Sequence, residues 1–92
     1  MGATLPPKDV RELCEYLVLG LVDDPAAVKV TVEMTDEAIV LRIVVAPDDR
    51  GKVIGRGGRV VRAIRSVVRA GAVKSGRRVL VEVDDSPAAF PA

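Results

Sequence analysis

The sequence predicts an α+β domain whose elements run in the order α-β-β-α-α-β. Three patterns carry that expectation. The apolar residues between positions 10 and 22 recur at helical spacing, three later stretches alternate as strands do, and a glycine-rich break separates two helical segments mid-chain. At 92 residues, 49% of them hydrophobic, the chain suits one folded domain rather than a basic disordered arm.

Val10, Leu13, Cys14, Leu17, Val18, Leu21 and Val22 fall on one helical face. A helix is therefore expected from Val10 to Val22, prepared by Pro6-Pro7 and stopped by Asp23-Asp24-Pro25. From Val28 to Met34 the chain alternates, with Val28, Val30, Val32 and Met34 on the buried side of a half-covered strand. Thr35-Asp36-Glu37 turns into Ala38–Ala46, an apolar run broken at Arg42 that should be covered more fully than the first strand. Pro47-Asp48-Asp49 leads into a short helix ending at Ile54, which either aspartate can cap. After Gly55–Gly58 a longer helix should run from Arg59 to Lys74. Its core face is Val60, Ile64, Val67, Val68 and Gly71, and its opposite face Arg59, Arg62, Arg65, Ser66 and Arg69. Ser75-Gly76 ends that helix, and Arg78–Val83 alternates as the third strand. Residues 1–7 read as a leader and 85–92, with two prolines, as a flexible tail, leaving 8–84 as the single domain.

The formal net charge of +1 hides a strong segregation. Between Arg50 and Arg78 stand ten Lys or Arg and no Asp or Glu, while all 13 acids lie outside that stretch. Such a segment is the electrostatic footprint of a polyanion partner, most often nucleic acid. Tyr16 and Phe90 are the only aromatics, which argues against base stacking on aromatic platforms. The chain has no His, and so lacks the commonest general base and metal ligand. Cys14 is alone on the apolar face of the first helix, where it reads as plain core. Neither catalytic residues nor a cofactor or metal is expected, so the chain does not read as an enzyme. A lone cysteine points to a reducing compartment. No secretory segment appears, and no apolar run approaches the roughly 18 residues that span a bilayer. The expectation is cytoplasmic, without a membrane partner.

The glycines sit at the centre of the cationic segment, in Val53-Ile54-Gly55-Arg56-Gly57-Gly58. A G-x-x-G turn between two helices lets backbone approach backbone. The first N–H groups of the following helix, with its dipole, then favour a phosphate at the loop. A dinucleotide fingerprint would need glycine where Val60 stands, and a Walker loop would need Ser or Thr where Val53 follows Gly51-Lys52. Neither motif fits.

Asp49-Arg50-Gly51-Lys52-Val53-Ile54-Gly55-Arg56-Gly57-Gly58-Arg59-Val60-Val61, set in this element order, resembles the KH family of RNA-binding domains in its bacterial, type II arrangement. The short stand-alone layout, with Arg62-Ala63-Ile64-Arg65 and Gly76-Arg77-Arg78-Val79, is similar to the KhpA group within it. The resemblance implies a three-stranded sheet covered on one face by three helices. It further implies that single-stranded RNA lies in a narrow groove, its backbone clamped by the loop. On that likeness Gly55, Arg56, Gly57 and Gly58 form the clamp, and Lys52, Arg59 and Arg62 are supporting cations. Ile54 and Val61, with Ile43 or Val45, supply an apolar floor. Also implied are an RNA chaperone or regulatory role, self-association as a homodimer, and pairing with a larger KH-containing protein.

Blander readings stand beside these. The loop could be a mere helix–helix turn, and the arginine stripe a solvated face, although such faces usually mix signs and this one has no acid. Arg65 and Arg69 suit solubility or subunit contacts, and Arg77 and Arg78 a plain surface. The alternative function is a protein-interaction or dimerisation module; a third is a single-stranded DNA binder. An extra glycine at position 57 should loosen the loop and keep affinity modest.

Overall fold

The computed structural model describes residues 9–73 and 76–84. The expected leader, the expected tail and Lys74-Ser75 lie outside the described residues. The elements are α1 (Val10–Leu19), β1 (Lys29–Met34), β2 (Ala38–Val44), α2 (Arg50–Ile54), α3 (Arg59–Gly71) and β3 (Arg78–Val83), the order that the periodicities predict. Single 3-10 turns occupy Pro25–Ala27, Pro47–Asp49 and Arg56–Gly58.

α1 starts where the Asp9 side chain, on extended backbone, accepts the Glu12 N–H at 2.9 Å. It ends at Leu19, three residues before the expected Val22. The last turn tightens there: Gly20 N–H donates to the Tyr16 carbonyl at 3.3 Å and Leu21 N–H to the Val18 carbonyl at 2.9 Å. Leu21 therefore leaves the helical face and stays exposed, while Val22 still packs on the core.

β2 is the central strand, antiparallel to β1 and parallel to β3. The parallel pair is possible because α2 and α3 supply the crossover between the two strands. Leu41 pairs with Val32 on one side and Val81 on the other. Alternation turns Ile39, Leu41 and Ile43 inward together with Val30, Val79 and Val81. On the other face Arg42 pairs with Glu82 at 3.3 Å. Met34, expected inward, is instead 59% exposed where β1 runs into the turn. That turn is held by Thr35, whose hydroxyl accepts the Ala38 N–H at 2.9 Å.

Cys14 and Val18 of α1, Val53 of α2, and Ile64 and Val68 of α3 join the inward residues of the sheet in one core. Cys14 behaves as core throughout. Burial first, and the nearby Glu15 charge second, push its thiol up to about 11, so it stays protonated at neutral pH. Of the expected core face of α3, Ile64 and Val68 are buried and Val60 is half-buried, but Val67 is 45% exposed. Val68 points straight at the sheet, while Val67, one residue before it, lies at the edge of that face toward α1.

Leu41 is fully buried in the strand that both neighbours pair with. Leu41→Ala should cost about 2–5 kcal/mol of stability, visible as an earlier midpoint in urea unfolding.

Candidate nucleic-acid interface

α2 is only five residues long, and Val53, fully buried, is its anchor. Its end is fixed by Gly55, whose N–H donates to the Gly51 carbonyl at 2.8 Å. Gly55 has φ 77° and ψ 168°, a region essentially confined to glycine. A β-carbon on it would lie 2.3 Å from Val60 Cγ2 and 2.8 Å from the Val60 backbone nitrogen. Gly55 is therefore the point where the loop backbone rests directly on the first turn of α3.

Gly57 (φ 63°, ψ 18°) and Gly58 (φ 78°, ψ 14°) are both left-handed, and a β-carbon on either would meet nothing within 4 Å. These two glycines answer to backbone conformation, not to crowding. Two N–H groups at the helix start are already engaged, Gly58 to the Gly55 carbonyl at 3.1 Å and Arg59 to the Arg56 carbonyl. The 3-10 turn thus uses part of the donor set that the sequence alone leaves open at the N-terminus of α3.

Arg56, Arg59 and Arg62 are exposed around this loop. Among the described residues no carboxylate pairs with Arg56, Arg59, Arg62, Arg65 or Arg69. Arg62 Nη2 donates to the Gly57 carbonyl at 2.9 Å. Ile54 is 37% exposed beside the loop and Val61 is half-buried. Ile43 and Val45, expected as alternatives for the apolar floor, are fully buried beneath the helices and present no surface to a base. Their inward parity on β2 and its extension is the reason.

Lys52 is placed differently from the other cations. Its ammonium bonds to the Asp23 carboxylate and lies 3.4 Å from Asp49 Oδ1. Hydrogen bonding to Asp23 is the main cause holding Lys52 above its usual value, against a smaller opposing effect of burial. Its charge is thus matched by two acids, unlike that of the arginines around the loop. Asp49 also departs from expectation. Its side chain makes no cap for α2. Instead Oδ1 accepts the Asp23 N–H at 3.2 Å and Oδ2 the Asp24 N–H at 3.0 Å, tying the loop after α1 to the start of α2. Burial alone would raise the Asp49 pKa, but these two N–H donors and Lys52 outweigh it and hold the carboxyl below its ordinary value. The Asp49-x-x-Lys52 spacing was the available sign of this pairing.

An apolar cleft of about 210 Å³ opens between α1 and α3, lined by Leu17, Leu21, Val60, Ala63, Ile64 and Val67. Tyr16 and Leu19 are exposed on the same end of α1. Among the described residues no group of three or more His, Cys, Asp or Glu could hold a metal ion, and no helix is long and apolar enough to cross a membrane.

A family model described as the KH domain of KhpA and KhpB matches residues 11–83, from the second residue of α1 to the end of β3. The chain belongs to the KhpA/KhpB family of KH domains. Its relatives within that family include the RNA-binding protein KhpA of Clostridium perfringens, 45% identical over 74 residues, or 80% of this chain and 99% of the relative. The KhpA of Bacillus subtilis is 42% identical over 83% of this chain and 94% of its own length, and that of Streptomyces coelicolor 47% over 82% and 95%. The solved structure of Era in complex with a segment of 16S ribosomal RNA matches with a TM-score of 0.62 at 19% identity. The match covers 99% of this chain and 39% of that one, and shows a shared fold.

Gly55→Ala must leave its glycine-only backbone region and push Val60 away. It should lose on the order of 1–3 kcal/mol of stability through backbone strain, with a further loss from the overlap, read by urea or thermal unfolding. For Asp49, a depressed carboxyl contributes stability that is present above its ordinary value of 3.8 and disappears as pH falls through the lower folded value. Unfolding midpoints measured from neutral pH down to about pH 3 should therefore fall more steeply for wild type than for Asp49→Asn.

Proposed function

We propose that this chain binds single-stranded RNA without catalysis, clamping the phosphate backbone with Gly55, Arg56, Gly57 and Gly58. The observation that carries the reading is a glycine loop, open at Gly57 and Gly58, ringed by arginines that no carboxylate neutralises among the described residues. Arg56 and Arg59 supply charge at the loop, Arg62 closes its far side, and Ile54 and Val61 offer apolar surface to the bases. Lys52 adds a charge that its two acids partly offset. The names of the relatives support an RNA ligand. With so few contacts sequence selectivity is low, which suits an RNA chaperone or post-transcriptional regulator working in the cytoplasm.

The apolar cleft between α1 and α3 favours a second reading, in which this face seats another KH domain, from a second copy or a larger relative. The family model itself spans KhpA and KhpB, which supports such a pairing. One KH domain covers few nucleotides, so a second would raise affinity by linkage.

Fluorescence anisotropy of a labelled random-sequence single-stranded RNA separates the readings. Wild type should bind with log affinity falling against log salt by about 0.7 per phosphate neutralised. Arg56→Asp/Gly57→Asp should remove binding while leaving the circular dichroism spectrum unchanged. Normal binding by that folded double variant would contradict the loop assignment, and no binding by wild type would leave the interaction module.

A further inference from the structure

The Gly57–Gly58 peptide is held from both sides. Its N–H donates to the Gly55 carbonyl at 3.1 Å, and its C=O accepts from Arg62 Nη2 at 2.9 Å. Beyond these two bonds, among the described residues only the Arg59 N–H to Arg56 carbonyl bond closes the turn around it: both residues are left-handed glycines, and neither would bring a β-carbon into contact with the fold. A Gly-Gly peptide in open space has many accessible conformations, and ordering it when a ligand arrives opposes binding. Remove the Arg62 bond, and one of its two tethers is gone.

We propose that Arg62 is a positioning residue for the loop, pinning the Gly57–Gly58 peptide in its binding conformation before RNA arrives, and is not itself a phosphate ligand. The proposal deepens the RNA-binding reading above and rests on it. Arg62 stands on the first turns of α3, five residues beyond Gly57, so a rigid helix carries the tether back to the loop. A guanidinium bonded to a carbonyl is oriented toward the loop's own backbone, whereas Arg56 and Arg59 remain for the ligand. Gly57, the extra glycine inside the G-x-x-G pattern, thus has a compensating side chain within the same chain.

A salt titration tells the two roles apart. A phosphate ligand contributes to the salt slope, and a positioning residue does not. The experiment uses the labelled random-sequence RNA with wild type, Arg62→Ala, and Arg62→Ala combined with Gly57→Asn. Asparagine adopts the left-handed region more readily than other side-chain-bearing residues and adds no charge, and position 57 has room for it. It therefore stiffens the loop independently of the arginine. Arg62→Ala should weaken binding about three- to tenfold, the loss of one modest hydrogen bond, with the salt slope unchanged. Adding Gly57→Asn should recover most of that loss. In the free protein, the ¹⁵N heteronuclear NOE of Gly57 and Gly58 should fall in Arg62→Ala and rise again in the double variant. A slope reduced by about 0.7 would show that Arg62 contacts phosphate and overturn the proposal. No recovery of binding with Gly57→Asn, where the heteronuclear NOE shows the loop ordered again, would overturn it too, since loop order would then not be what Arg62 supplies. A loop that stays rigid in Arg62→Ala would overturn it as well. Wild type failing to bind RNA would overturn the RNA-binding reading beneath it.

Discussion

Val60 lies so close to the backbone of Gly55 that a β-carbon on that glycine would sit 2.3 Å from Val60 Cγ2. From this contact the geometry of the site follows. α2 can end and α3 begin within four residues only because the chain passes through a conformation reserved for glycine at that point. Val53 anchors one helix in the core, Ile64 and Val68 anchor the other, and the loop is suspended between two fixed points. Gly57 and Gly58 then present open backbone, the form in which a phosphodiester can approach most closely.

Electrostatics divide α2 from α3. At the start of α2 the buried Asp49 fastens the loop after α1 through two backbone N–H groups and, with the exposed Asp23, pairs with the exposed Lys52, a structural use of charge. Along α3 the arginines stand without acid partners among the described residues, a source of mutual repulsion that a polyanion would relieve. The small net charge of the chain conceals this division, since the acids have been placed elsewhere. The same helix that presents arginines also presents Ala63 and Val67 to the cleft beside α1. Two kinds of surface thus share α3.

Much of this architecture was legible because the signals were periodic. The alternation in β1, β2 and β3 and the helical spacing of α1 gave the element order, and G-x-x-G between apolar anchors marked the loop that the structure shows. What escaped was set by tertiary context. The end of α1 depended on a tightening turn at Gly20, not on apolar spacing, which continues through Leu21 and Val22. Val67 and Val68 are indistinguishable by composition, and only packing decides which one is inward. Asp49 reads locally as a cap, yet its partners are 25 and 26 residues away. Ile43 and Val45 look available until the helices are placed over them.

The central claim is that the loop, and not the cleft or the open face of the sheet, receives the RNA. The most direct test is an ¹⁵N–¹H spectrum of the protein titrated with a short single-stranded RNA. The account predicts that the largest shifts fall on Gly55, Arg56, Gly57, Gly58 and Arg59, with Val40 and Leu80 on the outer face of the sheet unmoved. Shifts concentrated at Leu17, Ala63 and Val67 with a silent loop would contradict it.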